Sequence, residues 1–389
     1  MRRTTFLPYS PPSIGQEEID EVIATLRTDW ITTGPRTKAF ESQFGEYVGA
    51  PDGTSLMLNS CTAGLHVALV ALGVGPGDEV IVPALTFAAT ANVVEHVGAK
   101  PVLVDVEDDT LCIDPAAVEA AITPRTRVIM PVHYGGHPAD LDPLFALADA
   151  HGIEVVEDAA HAAPTHYKGV MVGSRQNFAS FSFYATKNLT TTEGGALTGH
   201  PELLKRARVI GLHGMSADGW KRFDKSGSWE YDIEMPGFKY NMTDVQAAIG
   251  THQLRKLAGF HARRREIVAR YNEVFGATPG FQVPVERPEC SSAWHLYALR
   301  VRPEIVGVDR NTFIDRLKAL NIGTSVHYKP LHMMSFYAGR YGYRPEDFPV
   351  ATDAYHRLVS LPLHPRLTDD DVQDVIEAVY QAVGSRAVA

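Results

Sequence analysis

An α/β fold with a mostly parallel sheet is the architecture that the sequence predicts. From about residue 55, short runs of β-forming residues alternate with amphipathic or turn-bounded segments, the pattern of strands joined by crossover helices. The chain has 389 residues, of which 45% are hydrophobic and 21% charged, without a biased tract. This length and composition predict one large globular domain and one smaller domain.

Seven strands and five helices are expected in the large domain. The strands are predicted at residues 56–58, 79–84, 101–106, 127–132, 153–158, 178–183 and 195–199. The helices are expected at about 60–72, 86–96, 114–122, 140–151 and 201–210.

The second half of the chain follows a different pattern. Residues 213–238, with glycines, two tryptophans and mixed charges, predict a long functional loop. A helical segment begins at Thr243, and the apolar run 294–301 with helices near 311–320 and 368–382 indicates an α+β domain. We therefore expect a large domain over residues 1–255 and a small domain over residues 256–389.

The composition excludes several classes of protein. A formal net charge of −10 leaves no basic face for a nucleic acid. The three cysteines, Cys61, Cys112 and Cys290, lack the spacing of a disulfide framework or a zinc site. Because the sequence contains no signal-like or membrane-spanning apolar segment, we expect a cytoplasmic protein without a membrane partner.

Polar residues that follow predicted strands are the main candidates for a site, because ligands of open α/β sheets bind beyond the carboxyl ends of the strands. Lys187 lies in a polar turn between a strand and two glycines, although most lysines are simply exposed. Asp158 ends another strand, where its carboxylate suits a pyridinium partner or, alternatively, caps a helix. His161 follows the same strand. It is either a site residue or a buried histidine whose ring nitrogens form hydrogen bonds within the protein.

A phosphate site is predicted where a helix starts after the first strand. The amides near Cys61 and Thr62 lie at the start of this helix, where they can bind a phosphate together with the Thr62 hydroxyl, and Ser182 offers a further hydroxyl from a neighbouring strand. Simple capping by Ser60 and Thr62 is the alternative. The glycine-rich turn 73–79 has neither dinucleotide nor P-loop spacing. The paired histidines of 133–137 and 327–332 lack further ligands, so no metal site is predicted.

Together these segments resemble the DegT/DnrJ/EryC1/StrS family of sugar aminotransferases, fold-type I enzymes that use pyridoxal 5′-phosphate. The resemblance runs from about residue 8 to the C-terminal helix. It implies a mixed, mostly parallel seven-stranded sheet and a smaller C-terminal α+β domain. The matching segments, in this order, are DWITTGPRTKAFE, NSCTAGLHVAL, GDEVIVPALTFAATANVV, VEDAAHA, FSFYATKNLTTTEGGAL, PGFKYNMTDVQAAIG and HYKPLH.

The resemblance implies a role for each cofactor contact. Lys187 matches the internal-aldimine lysine, and Asp158 matches the partner of the ring nitrogen. His161 stands where the family often has glutamine. The segment GFKYN departs from the family's commoner GYNYR, and in the family this segment comes from the second subunit of a homodimer. Whether Lys239 or Asn241 touches the phosphate is therefore open. The other expected contacts are Cys61, Thr62, Phe87 as a ring-stacking residue, and Ser182.

The implied reaction transfers an amino group from L-glutamate to a keto sugar on a nucleotide. Because GFKYN and HYKPLH look most like the branch that makes 4-amino-4-deoxy-arabinose, we expect a C4 keto group on a dTDP- or UDP-linked pentose or deoxyhexose. A C3 aminotransferase and a non-catalytic sensor are alternatives, whereas Lys187 argues against the dehydratase branch, which has histidine there. The expected substrate contacts are Trp30, Thr32, Thr33, Gly34, Lys221, Arg222, His327, Tyr328 and Lys329.

Overall fold

A seven-stranded sheet forms the centre of the computed structural model, which describes residues 3–216 and 231–384. The strands are β1 (Leu56–Leu58), β2 (Glu79–Pro83), β3 (Lys100–Val104), β4 (Thr126–Ile129), β5 (Glu154–Asp158), β6 (His166–Tyr167), β7 (Val170–Met171), β8 (Phe178–Ser182), β9 (Gly195–Thr198), β10 (Phe281–Gln282), β11 (Cys290–Ser291), β12 (Tyr297–Val301) and β13 (Leu358–Leu361).

Helices cover both faces of this sheet and complete the smaller C-terminal part. They are α1 (Gln16–Leu26), α2 (Pro35–Val48), α3 (Cys61–Ala71), α4 (Ala89–His96), α5 (Pro115–Ala121), α6 (Leu141–His151), α7 (Pro201–Gly211), α8 (Asp244–Phe275), α9 (Pro303–Val306), α10 (Arg310–Ala319), α11 (Ser335–Tyr341), α12 (Pro349–Arg357) and α13 (Asp369–Ala382). None of the helices in the described part of the chain has the length and apolar character needed to cross a membrane.

The strand order of the large sheet is β1-β9-β8-β5-β4-β2-β3. Six strands run in the same direction, and β9 runs antiparallel to them between β1 and β8. All seven predicted strands and all five predicted helices of this region are confirmed, with ends displaced by at most three residues. Two small sheets, β10-β12-β13 and β11-β6-β7, complete the fold.

Helix α8 contributes to two separate apolar cores. Its first half packs Leu254 and Leu257 with the phenylalanines of α2 below the large sheet, and its second half packs Tyr271 and Phe275 into the C-terminal core. The predicted domain boundary after residue 255 lies inside this helix, and the division into domains stays a prediction.

Helix α1 is amphipathic, but it buries a charged side chain and exposes its apolar side chains. Its buried Glu18 carboxylate accepts hydrogen bonds from Lys256 and Gln253 of α8, each at 2.7 Å. The apolar side chains of Ile19, Ile23 and Leu26, at helical spacing, are 46%, 41% and 58% exposed. The face that α1 leaves uncovered within this chain is therefore apolar.

Asp244 joins the start of α8 to the start of α2. Its fully buried carboxylate accepts hydrogen bonds from the amides of Gly34, Arg36 and Thr37 at 2.8, 3.1 and 2.9 Å. The Thr37 hydroxyl also donates to it, at 2.7 Å. One carboxylate thus satisfies the free first-turn amides of α2, which fixes the N-terminal segment on the large domain.

We expect Asp244→Ala to lower the free energy of unfolding by about 2–4 kcal/mol, because three buried amides and a hydroxyl lose a charged acceptor. Urea denaturation followed by circular dichroism measures this change. Asp309→Ala is the matched control, since Asp309 caps α10 in an exposed setting. Equal losses in the two variants would contradict the role assigned to Asp244.

Candidate active site

A cavity of about 470 Å³ opens at the carboxyl ends of β5 and β8, beside the start of α3. This is the edge of the sheet at which the sequence predicts a ligand site. The predicted site residues that line it are Cys61, Thr62, Phe87, Asp158, His161, Ser182, Lys187, His327 and Tyr328.

Asp158 ends β5 and is 5% exposed. Its Oδ2 accepts a hydrogen bond from Thr90 Oγ1 at 2.9 Å, and its Oδ1 accepts one from the Ala160 amide at 3.1 Å. Burial raises the pKa of this carboxyl group, and no cationic side chain of the described residues forms an ion pair with it. Since no helix starts at this residue, the carboxylate is not a helix cap, and it suits a cationic group of a ligand.

Lys187 lies in the turn between β8 and β9, where its amide donates to the Tyr184 carbonyl at 2.9 Å. The residue is half-buried in the cavity wall, so the alternative of a simple exposed lysine is excluded. Burial lowers the pKa of its amine to about 8, against the opposite influence of Cys61 and Asp158. A fraction of the amine is therefore neutral and nucleophilic near neutral pH.

Gly195 lets the Lys187 turn pack against the start of α3. A Cβ atom at this position would lie 2.5 Å from the Cys61 amide nitrogen and 2.6 Å from the Phe181 carbonyl oxygen. Real Cβ atoms do not approach backbone atoms so closely, so glycine is required where the turn meets the helix.

The start of α3 offers two amides to a ligand. Ser60 is the N-cap, and its hydroxyl accepts the Ala63 amide at 3.0 Å, so the capping alternative holds for Ser60 but not for Thr62. The first-turn amides of Cys61 and Thr62 lie at the cavity together with the Ser182 hydroxyl. Among the described residues that line the cavity, Lys187 is the one lysine and there is no arginine.

A hydrogen bond from the backbone sets the tautomer of His161. The Gly135 amide donates to His161 Nδ1 at 3.2 Å, so the ring proton lies on Nε2, which is 3.0 Å from the Tyr328 hydroxyl oxygen. Burial holds the pKa of His161 well below 6.5, so the ring is neutral. His161 thus fits both the buried, satisfied alternative and a place in the cavity wall.

His295 is a cavity residue that the sequence reasoning missed. Its ring centre lies 4.4 Å from that of His161, and its Nδ1 is 3.2 Å from Asn188 Oδ1. Burial holds its pKa well below 6.5. The sequence offers one signal for it, a histidine directly before the apolar run of β12, and the neighbouring histidine becomes visible only in the fold.

The opposite wall consists of aromatic and histidine side chains. Phe87, which follows β2, is 59% exposed, and its ring centre is 5.7 Å from that of Tyr328. His327 Nδ1 is 2.8 Å from Ser360 Oγ, and burial lowers the pKa of this histidine to about 4. The exposed Phe87 ring offers a surface on which a planar ligand can stack.

The other predicted residues that the structure describes are not part of the cavity wall. Asn241 Nδ2 donates to Thr33 Oγ1 at 2.6 Å, and Lys239 Nζ lies 2.5 Å from Asn241 Oδ1, so Thr33, Lys239 and Asn241 form one surface cluster. The residues outside the cavity wall that were predicted as substrate contacts are Trp30, Thr32, Thr33, Gly34 and Lys329. Lys221 and Arg222 lie outside the described residues.

Known proteins resemble this chain over almost all of its length. The model of the DegT/DnrJ/EryC1/StrS aminotransferase family matches residues 12–380. The spore coat polysaccharide biosynthesis protein SpsC of Bacillus subtilis is 50% identical over 384 residues, which are 98% of each chain. The expected aminotransferase fold is thereby supported at the level of sequence.

Solved structures confirm the fold. The putative sugar aminotransferase Spr1654 of Streptococcus pneumoniae, in its PLP form, is 38% identical with a TM-score of 0.89, covering 97% of this chain and 99% of that one. PseC of Helicobacter pylori, an aminotransferase involved in the biosynthesis of pseudoaminic acid, is 28% identical with a TM-score of 0.89, covering 98% and 100%.

We expect the Lys187 amine of the cofactor-free protein to titrate near pH 8. Because the neutral amine is the reactive form, its acylation rate should rise with pH and level off above about 8, as measured by mass spectrometry of the modified peptide. Asp158→Asn should move the midpoint to lower pH, since the negative charge of Asp158 raises the pKa of Lys187.

Lys205 serves as the internal control in the same samples. It is exposed, and its bond to Glu202 raises its pKa, so its acylation rate should still rise where that of Lys187 has levelled off. A Lys187 midpoint near 10.5, the ordinary value for lysine, would contradict the desolvated setting.

Proposed function

Because the chain belongs to the DegT/DnrJ/EryC1/StrS aminotransferase family, we propose that it transfers the amino group of L-glutamate to the C4 keto group of a nucleotide-linked sugar. The observation that carries the proposal is the cavity that Lys187 and the buried Asp158 share. Pyridoxal 5′-phosphate is the cofactor of the family. When bound, it supplies an electron sink that stabilises negative charge at the substrate carbon.

The residues of the cavity fit this cofactor. Asp158 would accept a hydrogen bond from the protonated ring nitrogen, and this cation would compensate the charge that burial disfavours. The amides of Cys61 and Thr62, with Ser182, would hold the phosphate at a helix N-terminus. Phe87 supplies an exposed ring for stacking on the cofactor.

Lys187 would hold the cofactor and then act on a proton. Its Nζ, with a pKa near 8, is matched to accepting a proton from the carbon that bears the amino group and to returning it later. Neither an exposed lysine nor one fixed in an ion pair would be as suitable, because its pKa would lie far above neutral pH.

The uncharged donors of the cavity support a sugar substrate. Since His161 Nε2 donates to the Tyr328 oxygen, the Tyr328 hydroxyl keeps its own proton for a ligand. Neutral donors of this kind suit the hydroxyl and keto oxygens of a sugar. The diphosphate of dTDP or UDP would lie further out, near the exposed Lys329 and, as the sequence suggests, Lys221 and Arg222.

The C4 position is the finer part of the proposal. It depends on the segments GFKYN and HYKPLH, which look most like the C4-aminating branch of the family. A C3 aminotransferase and a non-catalytic sensor are the competing functions.

We further propose a homodimer whose partner chain completes the phosphate site. The cluster of Thr33, Lys239 and Asn241 brings a cation to the surface, whereas the described wall of the cavity has no arginine and no lysine besides Lys187. Ile31, two residues before Thr33 and five residues after the end of α1, is also an exposed apolar side chain. A second copy of the chain would cover it together with the apolar face of α1.

The reverse reaction tests the substrate. With 2-oxoglutarate and a panel of dTDP- and UDP-linked 4-amino and 3-amino sugars, we expect glutamate to form from the 4-amino sugars, as measured by a coupled glutamate assay. Lys187→Ala should abolish the activity while the fold is retained, because the substitution removes a proton carrier and no core side chain.

Two outcomes of this assay would decide against the proposal. Activity confined to 3-amino sugars would overturn the C4 position and leave the aminotransferase intact. Inactivity on every nucleotide sugar would favour the sensor, and borohydride reduction followed by mass spectrometry would then show whether Lys187 holds the cofactor at all.

Mixing two inactive variants tests the shared site. If Lys239 acts across the interface, combining Lys187→Ala chains with Lys239→Ala chains should restore up to about a quarter of wild-type activity, because half of the dimers then contain one intact site. Activity is measured after unfolding and refolding the mixture, with each variant refolded alone as control. Absence of recovery, despite heterodimers detected by native mass spectrometry, would mean that each site belongs to one chain.

A further inference from the structure

Two buried threonines form a chain of hydrogen bonds that ends on Asp158. Thr86 and Thr90 are 1% and 0% exposed, and their Oγ1 atoms are 2.8 Å apart. Thr90 Oγ1 is in turn 2.9 Å from Asp158 Oδ2. Thr86 lies in the loop after β2 and lines the cavity, and Thr90 is the second residue of α4. The chain of hydroxyls therefore connects the cavity wall and α4 to the end of β5.

The direction of these bonds follows from counting protons. The single hydroxyl proton of Thr90 has two further acceptors, Asp158 Oδ2 and, at 3.2 Å, the Phe87 carbonyl oxygen. An ionised carboxylate is the stronger acceptor, so Thr90 donates to Asp158 and accepts the proton of Thr86. If Asp158 carried a proton on Oδ2, the Thr90 hydroxyl oxygen would accept a hydrogen bond from it, and the Thr90 proton would be donated to the Phe87 carbonyl oxygen instead. Both proton arrangements can therefore be satisfied, but the hydrogen bond that Thr90 donates stabilises the ionised form and lowers the pKa of Asp158, against the effect of burial.

The second oxygen of Asp158 has less support from side chains. Oδ1 accepts the Ala160 amide, and the Cys61 thiol is 3.9 Å away. That thiol is closer to the Ser180 carbonyl oxygen, at 3.2 Å, and directs its proton there. Among the described residues, Thr90 is therefore the side chain that donates to this carboxylate at short range.

We infer that Thr90, backed by Thr86, is a positioning residue that keeps the Asp158 carboxylate ionised and oriented toward the ring nitrogen of the cofactor. The inference rests on the proposed function, in which Asp158 is the partner of that nitrogen. Burial works in the opposite direction, because it raises the pKa of the carboxyl group. Without the Thr90 donor, the shared proton would move from the ring nitrogen toward Asp158, and the ring would lose its positive charge.

Thr90→Val, which keeps the shape and removes the donor, is the decisive variant. The protein is loaded with pyridoxal 5′-phosphate labelled with ¹⁵N in the ring, and the ¹⁵N chemical shift reports whether the nitrogen is protonated. We expect a protonated ring in the wild type and a shift toward neutral pyridine in Thr90→Val. The value of kcat should fall about ten- to hundredfold, the loss expected for one hydrogen bond to a charged group, with little change in KM.

Two matched variants separate positioning from packing. Thr90→Ser keeps the hydroxyl and should restore the protonated ring and most of kcat. Thr86→Val removes the first member of the chain and should shift the signal in the same direction, by less than Thr90→Val. If Thr90→Val lowers thermal stability or cofactor affinity while the ring stays protonated, the residue is merely structural and the inference fails.

Asp158→Asn distinguishes this failure from failure of the proposed function. If the ring stays protonated in Asp158→Asn, Asp158 is not the partner of the nitrogen, whatever Thr90 does. If the Thr90→Val protein does not bind the cofactor, the ¹⁵N chemical shift of the Thr86→Val protein tests the inference instead. An unchanged ¹⁵N shift in that variant overturns the inference, and a partial shift supports it.

Discussion

Burial of the Asp158 carboxylate at the end of β5 is the constraint on which the rest of the site depends. Strand β5 lies in the middle of the sheet, between β8 and β4, and Asp158 at its carboxyl end is 5% exposed. An ionised carboxylate in such a place is unfavourable by several kcal/mol unless hydrogen bonds and a counter-charge compensate. Thr90 and Ala160 supply the hydrogen bonds, and the described residues supply no ion pair. Under the proposed function, the protonated ring nitrogen of the cofactor would supply this counter-charge.

The antiparallel strand β9 places Lys187 opposite this carboxylate. A crossover helix after β8 would carry the chain away from the sheet edge, whereas β9 returns directly between β8 and β1. The turn is closed at its base by the Phe183 amide, which donates to the Gly194 carbonyl at 2.8 Å. Because Gly195 has no side chain, this turn packs directly on the start of α3. Amine, carboxylate and helix start are thereby held in one cavity by the order of the strands.

The sequence predicted the strands that are continuously apolar and missed the two N-terminal helices. Strands such as β2 and β5 are continuous buried runs, so composition alone identifies them. For α1 the reason is that it buries Glu18 and exposes Ile23, whereas α2 buries Phe40 and Phe44, so its apolar pattern was present in the sequence and was overlooked. Site residues that directly follow a strand could be identified from their position in the sequence. His295 was not, because its role depends on a neighbour that is distant in sequence.

The charges in the cavity support the proposal that a second chain contributes a cation to the phosphate site. Burial lowers the pKa of His161, His295 and His327, and the proximity of Lys187 lowers it further for each of them. One positive charge in this space thus disfavours another, and the histidines stay neutral. The phosphate dianion of the proposed cofactor would meet dipoles at the start of α3 but no permanent cation among the described residues of the wall. In a chain of net charge −10, a cation brought by a neighbouring subunit could balance the phosphate without adding a buried charge to each monomer before assembly.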